Sequence, residues 1–296
     1  EIHMKDLDLR SLEIFRTVAA EGSISKAAEK LHRVQSNVST RIKQLEERLD
    51  RNLFHRQNRG LTLTPDGEVL LSYADRLLQL SLEATEAMNE GRPAGLLRIG
   101  TMESTAAARL PAVLSEYHRL YPDVEIEIET DVAQGLLERL RAYDVDVAFI
   151  AEPVHFEALE SRPVFAEELI LVAPASFPPP RKIAEMSGKT MIAFESGCAY
   201  RRYLEEWLLA AGIVPGSIIA VGSYLAILAC VSAGTGFAVV PRSVLDTVAS
   251  KGQFRQHRLP GKLKRIRTMM TWRADYRSAK LTALQRLLPA LSPSLK

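Results

Sequence analysis

The region near residue 35 carries polar side chains of the kinds that read DNA bases. The five residues are Gln35, Ser36, Asn37, Thr40 and Arg41. Asn and Gln can each form two hydrogen bonds with adenine, and Arg can do the same with guanine. At the exposed N-terminal end of a helix, such side chains would enter the major groove of DNA. The alternative interpretation is a helical bundle with a solvated polar face, which composition alone slightly favours.

Basic and hydroxyl side chains near this region suit the phosphate groups of the same DNA. Lys43 follows the base-reading residues, and Arg56 and Arg59 belong to a predicted hairpin, so all three are expected to bind the DNA backbone. Ser23 and Ser25, at the start of the preceding predicted helix, complete the expected DNA contacts.

Apolar spacing predicts three helices and a two-stranded wing in the N-terminal part of the chain. Apolar residues recur at helical spacing over 9–20, 25–31 and 35–49. Two short strands joined by a turn at 58–60 follow, which is typical of a wing. Together these elements predict a DNA-binding domain over residues 4–65.

A long helix is expected over residues 66–92. Its apolar residues repeat close to a heptad, and neither Pro nor Gly interrupts it between Gly67 and Gly91. Such a stripe packs either on its own domain or on the same helix of a second subunit. After a small DNA-binding unit the second arrangement is favoured, and Leu77 and Leu80 are expected in the seam between the two helices.

From residue 95 onward, the chain alternates strands with helices. The predicted strands cover 96–100, 124–128, 145–150, 169–173, 191–194, 218–221, 237–241 and 267–273, and the predicted helices cover 107–121, 134–143, 199–211, 225–233 and 278–288. This order is typical of an α/β fold, with a mostly parallel sheet and helices on both faces. Two sets of strands indicate two lobes. Lobe I is expected at about 95–167 and 267–296, because the last strand and helix need a sheet to join, and lobe II at about 168–266.

The turns that follow these strands are expected to line a ligand cleft between the lobes. Open α/β sheets bind ligands at the carboxyl ends of strands and at the N-termini of helices. The candidate effector-binding residues are Thr101, Glu103, Ser104, Thr105, Asp131, Glu195, Ser196, Cys198, Ser223 and Tyr224. Counted with Glu152, the acids at these turns outnumber the nearby bases Arg201 and Arg202, which favours an amine or a polyamine over a simple carboxylate.

The same acids have a second interpretation, as helix-start residues that the helix dipole stabilises. For Glu103 and Glu195 the two interpretations carry equal weight. For Asp131 and Glu152 the structural interpretation is favoured.

Composition limits the class of protein. The 296 residues are 47% hydrophobic, which suits two globular domains. Residues 4–65 hold 12 Lys and Arg against 8 Asp and Glu, a net charge of +4, whereas the whole chain carries only +2. No apolar run approaches the roughly 20 residues of a membrane helix, the first residues show no secretion pattern, and there are only two cysteines, so a cytoplasmic protein without a membrane partner is expected.

The remaining chemical motifs leave few alternatives. Cys198 precedes a predicted helix, where the pKa of its thiol would fall, so a redox-sensing regulator is one alternative, whereas Cys230 is expected in the core. The sequence holds no P-loop, nucleophile elbow, zinc-ligand spacing or His-centred triad, so neither an enzyme nor a cofactor is expected. A solute-binding protein would share the two-lobed architecture, but not the N-terminal helices.

The N-terminal residues resemble the signature of the LysR family of bacterial transcriptional regulators. The matching positions are Leu12–Phe15, Val18–Ala19, Gly22–Leu31, Val38–Ser39, Ile42–Glu46, Leu53–Phe54, Arg56 and Leu63–Gly67. The resemblance implies a winged helix-turn-helix whose first helix is 25–31 and whose recognition helix is 35–49. Ala27, Ala28, Leu31 and Leu45 would then be core residues. The residues Val34-Gln35-Ser36 depart from the Ser-Gln-Pro start that is common in this family.

The resemblance continues more weakly after Leu96 and implies the rest of the architecture. It implies that the long linker helix forms dimers, and that a two-lobed α/β effector-binding domain of the periplasmic-binding-protein type follows. The implied partners are double-stranded promoter DNA, a small-molecule effector, other copies of the chain in a homotetramer, and RNA polymerase. Residues 103–107, 198–202 and 228–231 are similar to regulators of putrescine utilisation within the family, so putrescine is the favoured amine.

Overall fold

The structure is a computed structural model that describes residues 7–57, 60–88, 91–154, 156–175, 177, 186–248, 254–259 and 261–288. The chain divides into two compact units, Glu1–Gly91 and Arg92–Lys296. In the described residues, no helix is both long enough and apolar enough to cross a membrane.

The first unit contains the three predicted helices and the predicted hairpin. Its elements are α1 (Leu9–Glu21), α2 (Ile24–Lys30), α3 (Gln35–Leu49), β1 (Phe54–Gln57), β2 (Gly60–Leu63) and α4 (Pro65–Ala87). Asp8 begins α1 by accepting a hydrogen bond from the Ser11 amide at 2.8 Å. Ser23 begins α2 in the same way, through the Lys26 amide at 3.5 Å. Their core is formed by fully buried apolar residues that include Leu12, Phe15, Val18, Val38 and Leu45.

Two contacts fix the wing, the β1–β2 hairpin, against the helices. The Leu61 amide donates to the Gly22 carbonyl at 2.9 Å, and Gly22 reaches this position with a φ of 59° between α1 and α2. The Glu46 carboxylate, on α3, accepts hydrogen bonds from the amides of Leu53 at 2.8 Å and Phe54 at 3.3 Å. The wing is therefore held at both ends by the helices that precede it.

Helix α4 begins one residue earlier than predicted. Pro65, the last residue of the predicted DNA-binding domain, is the first residue of this helix. A proline is tolerated there because the N–H group that it lacks would have no partner within the helix. The Thr64 hydroxyl caps the helix by accepting from the Gly67 amide at 3.0 Å. The described helix ends at Ala87.

One side of α4 is buried and another is apolar but exposed. Leu70 and Ala74 pack into the core of the first unit. The exposed side carries Val69, Tyr73, Leu77 and Leu80, with exposed fractions of 59%, 54%, 38% and 62%. The helix therefore has a second apolar stripe that this chain alone leaves in solvent.

The second unit contains two five-stranded sheets with helices around them. Its elements are β3 (Gly95–Thr101), α5 (Glu103–Ala108), α6 (Leu110–Leu120), β4 (Val124–Thr130), α7 (Ala133–Arg141), β5 (Val147–Ala151), β6 (Leu159–Glu167), β7 (Leu169–Pro174), β8 (Thr190–Phe194), α8 (Ala199–Ala210), β9 (Ser217–Val221), α9 (Tyr224–Ser232), β10 (Phe237–Pro241), α10 (Arg242–Thr247), β11 (Phe254–Arg258), β12 (Ile266–Arg273) and α11 (Ala279–Leu287). The strand orders are β4-β3-β5-β12-β6 and β11-β7-β10-β8-β9.

The last strand joins the first sheet, as predicted, and four of the five strands in each sheet run in the same direction. Strand β12 runs antiparallel to β5 and β6, and β7 runs antiparallel to β10 and β11. Only β3, β4 and β5 in one sheet, and β8, β9 and β10 in the other, pair in parallel. The expectation of mostly parallel sheets is therefore confirmed, with one reversed strand in each sheet, β12 and β7, each of which follows a crossing between the lobes.

The helix predicted over 107–121 is two helices that meet at Arg109. Pro111 lies at the start of α6, where its ring and its missing N–H group prevent a continuous helix. Strands β6 and β11 and helix α10 were not predicted, since their residues show neither clear alternation nor a long apolar run.

A buried carboxylate lies where the chain first crosses between the lobes. Glu167, at the end of β6, is 2% exposed. It accepts hydrogen bonds from Arg109 Nε at 2.6 Å and from the Ser243 hydroxyl at 2.7 Å. Arg109 also donates to the Ala166 carbonyl at 3.1 Å. This cluster joins the α5–α6 junction in one lobe to α10 in the other.

Apolar packing also continues from one lobe to the other. The larger hydrophobic cluster of this unit contains β7, β8 and β10 of the second sheet together with Met102, Leu136 and Ile150 from the first lobe. The lobes are therefore in contact behind the cleft.

Gly67→Ala tests how closely α4 approaches the chain before the wing. A Cβ atom at residue 67 would lie 2.2 Å from the Leu53 carbonyl oxygen. We expect the substitution to destabilise the first unit by about 1–3 kcal/mol, as overpacking does. Both tryptophans, Trp207 and Trp272, lie in the second unit. Thermal unfolding should therefore shift when followed by circular dichroism, and not when followed by tryptophan fluorescence.

The control is Glu68→Ala, an exposed position in the same helical turn. It should change the transition little. If Gly67→Ala behaved like this control, the close approach of α4 to Leu53 would be contradicted.

Candidate nucleic-acid interface and ligand cleft

Four of the five predicted base-reading residues line one surface of α3, and the fifth, Gln35, is exposed outside that lining. Gln35, Ser36, Asn37 and Thr40 are exposed and Arg41 is half-exposed. A shallow groove on this surface is lined by Val34, Ser36, Asn37, Thr40, Arg41 and Gln44. The opposite face of α3 is buried through Val38, Ile42 and Leu45. Gln44 was not predicted, although its spacing from Asn37, Thr40 and Arg41 places it on the same helical face.

The residues expected to bind phosphates differ in their exposure and in the contacts that they already make. Ser25 is exposed, whereas Ser23 already caps α2. Lys43 is exposed and forms only a long ion pair with Glu47, at 3.7 Å. Arg56 lies on β1, but its side chain falls outside the described part of the structure, as does all of Arg59.

Two adjoining cavities form the cleft between the lobes of the second unit. The smaller one is lined by Met102, Glu103, Ser104, Asp131, Val132, Ala133, Phe194, Cys198, Ala199, Tyr200 and Tyr224. The larger one is lined by residues of α7, β5 and the start of α8, with Ser196, Arg201 and Arg202 among them. Ala133, Cys198 and Ala199 line both. Of the predicted effector residues, Thr101, Thr105, Glu195 and Ser223 are not in either lining.

Glu103 connects the two lobes across the smaller cavity. It is the first residue of α5 and follows the carboxyl end of β3. Its Oε1 atom accepts a hydrogen bond from the Tyr224 amide at 3.3 Å, at the N-terminus of α9. Its Oε2 atom is buried and has no hydrogen-bond partner among the described residues. Burial raises the pKa of this carboxyl above its ordinary value, although hydrogen bonds from Tyr224 and Ser223 oppose the rise.

The other acids predicted for the cleft are engaged locally or exposed. Asp131 accepts from the Val132 amide at 2.7 Å and from Arg139 Nε at 3.4 Å. Burial alone would raise the pKa of Glu152, but hydrogen bonds from Arg267 and its charge lower it overall. Glu195 is exposed. Glu103 is thus the acid whose position differs most from that of an ordinary surface or helix-start carboxylate.

Several hydroxyl groups near the cavity are buried without partners. Tyr200 is 3% exposed, and its hydroxyl lies near Ser104 and Thr268 without a hydrogen bond of normal geometry to any described residue. The hydroxyls of Thr105 and Thr268 are unpartnered in the same sense. Thr101 is buried and donates to the Met102 carbonyl at 3.2 Å. An unsatisfied buried hydroxyl costs about 1–3 kcal/mol, so a polar molecule in the cavity would stabilise this wall.

The expected fall in the pKa of Cys198 is wrong. Burial raises the pKa of this thiol, and nearby amides and Arg201 do not offset that effect. The thiol lies beside the Tyr224 hydroxyl and remains protonated, which argues against a reactive thiolate. Cys230 is half-buried and packs against the larger hydrophobic cluster.

Sequence reasoning missed Tyr200, which lines the cleft, and Thr268, a buried residue beside it. Tyr200 belongs to the segment 198–202, which resembles other regulators in the family, but no sequence pattern indicates that its hydroxyl is buried. Thr268 lies on β12 and approaches Tyr200 only because that strand returns to the first sheet.

Comparison with known families gives two matches that together cover most of the chain. Residues 9–68 match the bacterial regulatory helix-turn-helix proteins of the lysR family, and residues 90–291 match the LysR substrate binding domain. The chain is 40% identical over 270 residues to the HTH-type transcriptional regulator GltR of Bacillus subtilis, with 91% of each protein covered. It is also 40% identical over 265 residues to the regulator YofA of Bacillus velezensis, with 89% of this chain and 91% of that protein covered.

Solved structures share the fold. A full-length OxyR variant from Pseudomonas aeruginosa superposes with a TM-score of 0.76 at 24% identity, covering 95% of this chain and 93% of that one. Full-length CbnR in complex with its target DNA gives a TM-score of 0.67 at 22% identity, covering 95% and 99%.

These matches span both units, and the similar proteins are named as transcriptional regulators and not as enzymes. The chain therefore belongs to the LysR family and is a DNA-binding transcriptional regulator with an effector-binding domain.

Proposed function

We propose that this regulator reads promoter DNA through α3 and the wing, and that a small molecule carrying an ammonium group, putrescine among the candidates, controls that binding from the cleft. The observation that carries the effector assignment is the unpartnered, buried Oε2 atom of Glu103. In this proposal the regulator works in the bacterial cytoplasm as a homotetramer, and contact with RNA polymerase completes its action.

The DNA assignment rests on the exposed face of α3. That face carries one amide side chain at Asn37, another at Gln44 and a guanidinium at Arg41, next to two small hydroxyls. These groups can pair with base edges in a major groove. Arg56 lies on β1 of the wing, and in this proposal its side chain binds phosphates while α3 is in the groove.

Paired substitutions separate base reading from phosphate binding. Asn37→Ala should cost roughly 1–3 kcal/mol at particular base pairs and so relax sequence preference. Arg56→Ala and Arg59→Ala should weaken binding to all sequences and lower the salt dependence by about one phosphate contact each. Footprinting and salt titrations on the DNA upstream of the regulator's own gene measure both effects.

Each substitution is the control for the other. Equal losses on specific and random DNA for Asn37→Ala would argue against base reading. A loss confined to one base position for Arg56→Ala would argue against phosphate binding.

The dimer assignment rests on the exposed apolar stripe of α4. Val69, Tyr73, Leu77 and Leu80 lie on one side of the helix, away from the face that packs on the first unit. Exposed apolar side chains in such a row gain about 25 cal/mol for each Å² that a partner covers. The same helix of a second copy has a matching stripe, so a twofold pair covers both. Further pairing through the effector-binding domains would give the tetramer.

Charge placed in the stripe should separate the subunits. Leu77→Glu together with Leu80→Glu should give smaller particles by light scattering, because two pairs of carboxylates would face each other in the seam. Ser72→Glu lies about a quarter turn outside the stripe and should leave the assembly intact. A fully oligomeric double variant would show that the seam is elsewhere.

The effector assignment rests on the chemistry of the smaller cavity. An ammonium group beside Glu103 would supply the hydrogen-bond donor that Oε2 lacks and a charge that the carboxylate attracts. The rings of Phe194 and Tyr224, 5.1 Å apart, also line this cavity, and aromatic faces attract cations. An amine therefore meets both a carboxylate and aromatic rings in one place.

Titration calorimetry of the whole protein with putrescine tests this assignment. Glu103→Gln should weaken binding about tenfold or more, the effect of losing a charged hydrogen bond. Because the pKa of Glu103 is raised, its carboxylate is present above that pKa and is lost as the pH falls through it. Amine affinity should therefore decline on acidification at a higher pH than an exposed glutamate would allow, and Glu103→Gln should remove that decline.

Glu195→Gln, at an exposed position near the cleft, is the matched control and should bind as the unmodified protein does. Tight binding of a dicarboxylate, or undiminished amine binding by Glu103→Gln, would contradict the effector class while leaving the DNA assignment intact.

A further inference from the structure

The two adjoining cavities of the cleft carry opposite charge. The smaller is lined by two acids, Glu103 and Asp131, of which Asp131 is paired with Arg139 at 3.4 Å, and its lining, as far as the chain is described, holds no Lys or Arg. The larger is lined by Arg201 and Arg202 with one acid, Glu205. That acid is already paired with Arg201 Nε at 2.7 Å. A molecule that spans both cavities would therefore pass from a negative to a positive environment.

The positive end is also the start of a helix whose donors lack an oxygen acceptor. Helix α8 has 12 residues, and Cys198 at its N-cap makes no side-chain capping hydrogen bond through oxygen. The amides of Tyr200 and Arg201 face the Cys198 sulfur, which is only a weak acceptor. Helix N-termini favour anions through their amides and their dipole, and an anion would be a stronger acceptor for these amides than the sulfur is.

The guanidinium groups beside this helix start have capacity to bind an anion. Arg201 is held in place by its Nη1 hydrogen bond to the Phe194 carbonyl at 3.0 Å. Arg202 has a longer ion pair, 3.8 Å from Glu206, and more than half of its side chain is exposed. Its guanidinium also lies over the Tyr203 ring, 5.4 Å from the ring centre, so turning toward a ligand carboxylate would exchange this contact and the long ion pair for a charged hydrogen bond.

A second observation, on the buried side chain of Tyr200 in the first turn of α8, points to a ligand near the junction of the cavities. Tyr200 is 3% exposed and lines the smaller cavity, yet its hydroxyl has no partner of normal geometry among the described residues. It lies one residue from Ala199, which lines both cavities. A polar ligand between the ammonium and carboxylate positions would satisfy this hydroxyl.

We propose that the effector is an amino carboxylate whose ammonium group pairs with Glu103 and whose carboxylate binds at the start of α8 beside Arg202. This inference rests on the amine assignment and narrows it. A diamine would place its second ammonium group beside Arg201 and Arg202, and a dicarboxylate would place one anion beside Glu103 and Asp131. Either arrangement brings like charges together in a partly desolvated cleft, which is unfavourable.

Titration calorimetry with the full-length protein tests the inference with matched ligands. The panel consists of the L-α-amino acids, the linear ω-amino acids, and the diamines and dicarboxylates of equal chain length. We expect at least one amino carboxylate to bind tighter than its matched diamine and dicarboxylate by about tenfold or more. Glu103→Gln should weaken amino carboxylate and diamine alike. Arg202→Gln should weaken the amino carboxylate by about fivefold or more and leave diamine binding unchanged or tighter.

Glu206→Gln, at the exposed partner of Arg202, is the matched control and should leave amino carboxylate binding unchanged or tighter, because the ligand no longer competes with the Glu206 carboxylate. Trp207 fluorescence during thermal unfolding reports whether each variant folds. The inference is overturned if a diamine binds as tightly as every amino carboxylate of its length, if Arg202→Gln has no effect, or if no amino carboxylate binds. DNA binding measured without ligand is independent of these outcomes, so failure here is distinguishable from failure of the proposed regulator function.

Discussion

The buried carboxylate of Glu167 is the interaction on which the cleft depends. It lies at the first crossing between the lobes and binds Arg109 from one lobe and Ser243 from the other. Arg109 is about one-third exposed and Glu167 is buried, so loss of Arg109 would leave a buried carboxylate without its cationic partner, which is destabilising. Arg109 separates α5 from α6, and Glu103 is the first residue of α5. The ion pair of Arg109 therefore helps to position Glu103, the candidate effector-binding residue that lies six residues earlier in the chain.

In the DNA-binding unit too, a carboxylate joins two parts of the structure, and here the acid is partly buried. Glu46 lies on α3 and accepts the amides of Leu53 and Phe54 at the start of the wing. The recognition helix and the wing are thus joined by a side chain of the helix itself. In this proposal Asn37 reads bases and Arg56 binds phosphates from a single rigid unit. A change in the position of the recognition helix would therefore also move the wing.

Sequence periodicity was sufficient where burial follows a regular repeat. Val38, Ile42 and Leu45 defined the buried face of α3 and so placed Asn37 and Thr40 on the opposite side. The need of the last strand for a sheet correctly returned β12 to the first lobe. The antiparallel crossings were missed because strand direction depends on which lobe the chain enters, and no local residue pattern records that.

Chemical properties that depend on distant residues were also beyond the sequence. The turn before α8 suggested a lowered pKa for Cys198, but burial beneath α9 raises it. In the sequence Glu103 is indistinguishable from other acids at helix starts. Its hydrogen bond from the Tyr224 amide of α9, 121 positions away, exists only in the folded protein. Tyr200 and Thr268 are neighbours only in the folded protein, because they lie far apart in the sequence, and no sequence pattern indicates their contact.

The hydrophobic cluster that continues between the lobes has a thermodynamic consequence. Wide separation of the lobes would bring Met102, Leu136, Ile150 and their partners in the second lobe into contact with water, and this exposure raises the heat capacity of the open state. The apolar part of that exposure costs about 25 cal/mol for each Å². The ligand-free domain therefore keeps its lobes together, and effector binding proceeds with a small heat-capacity change, unlike a domain that closes from a wide-open form.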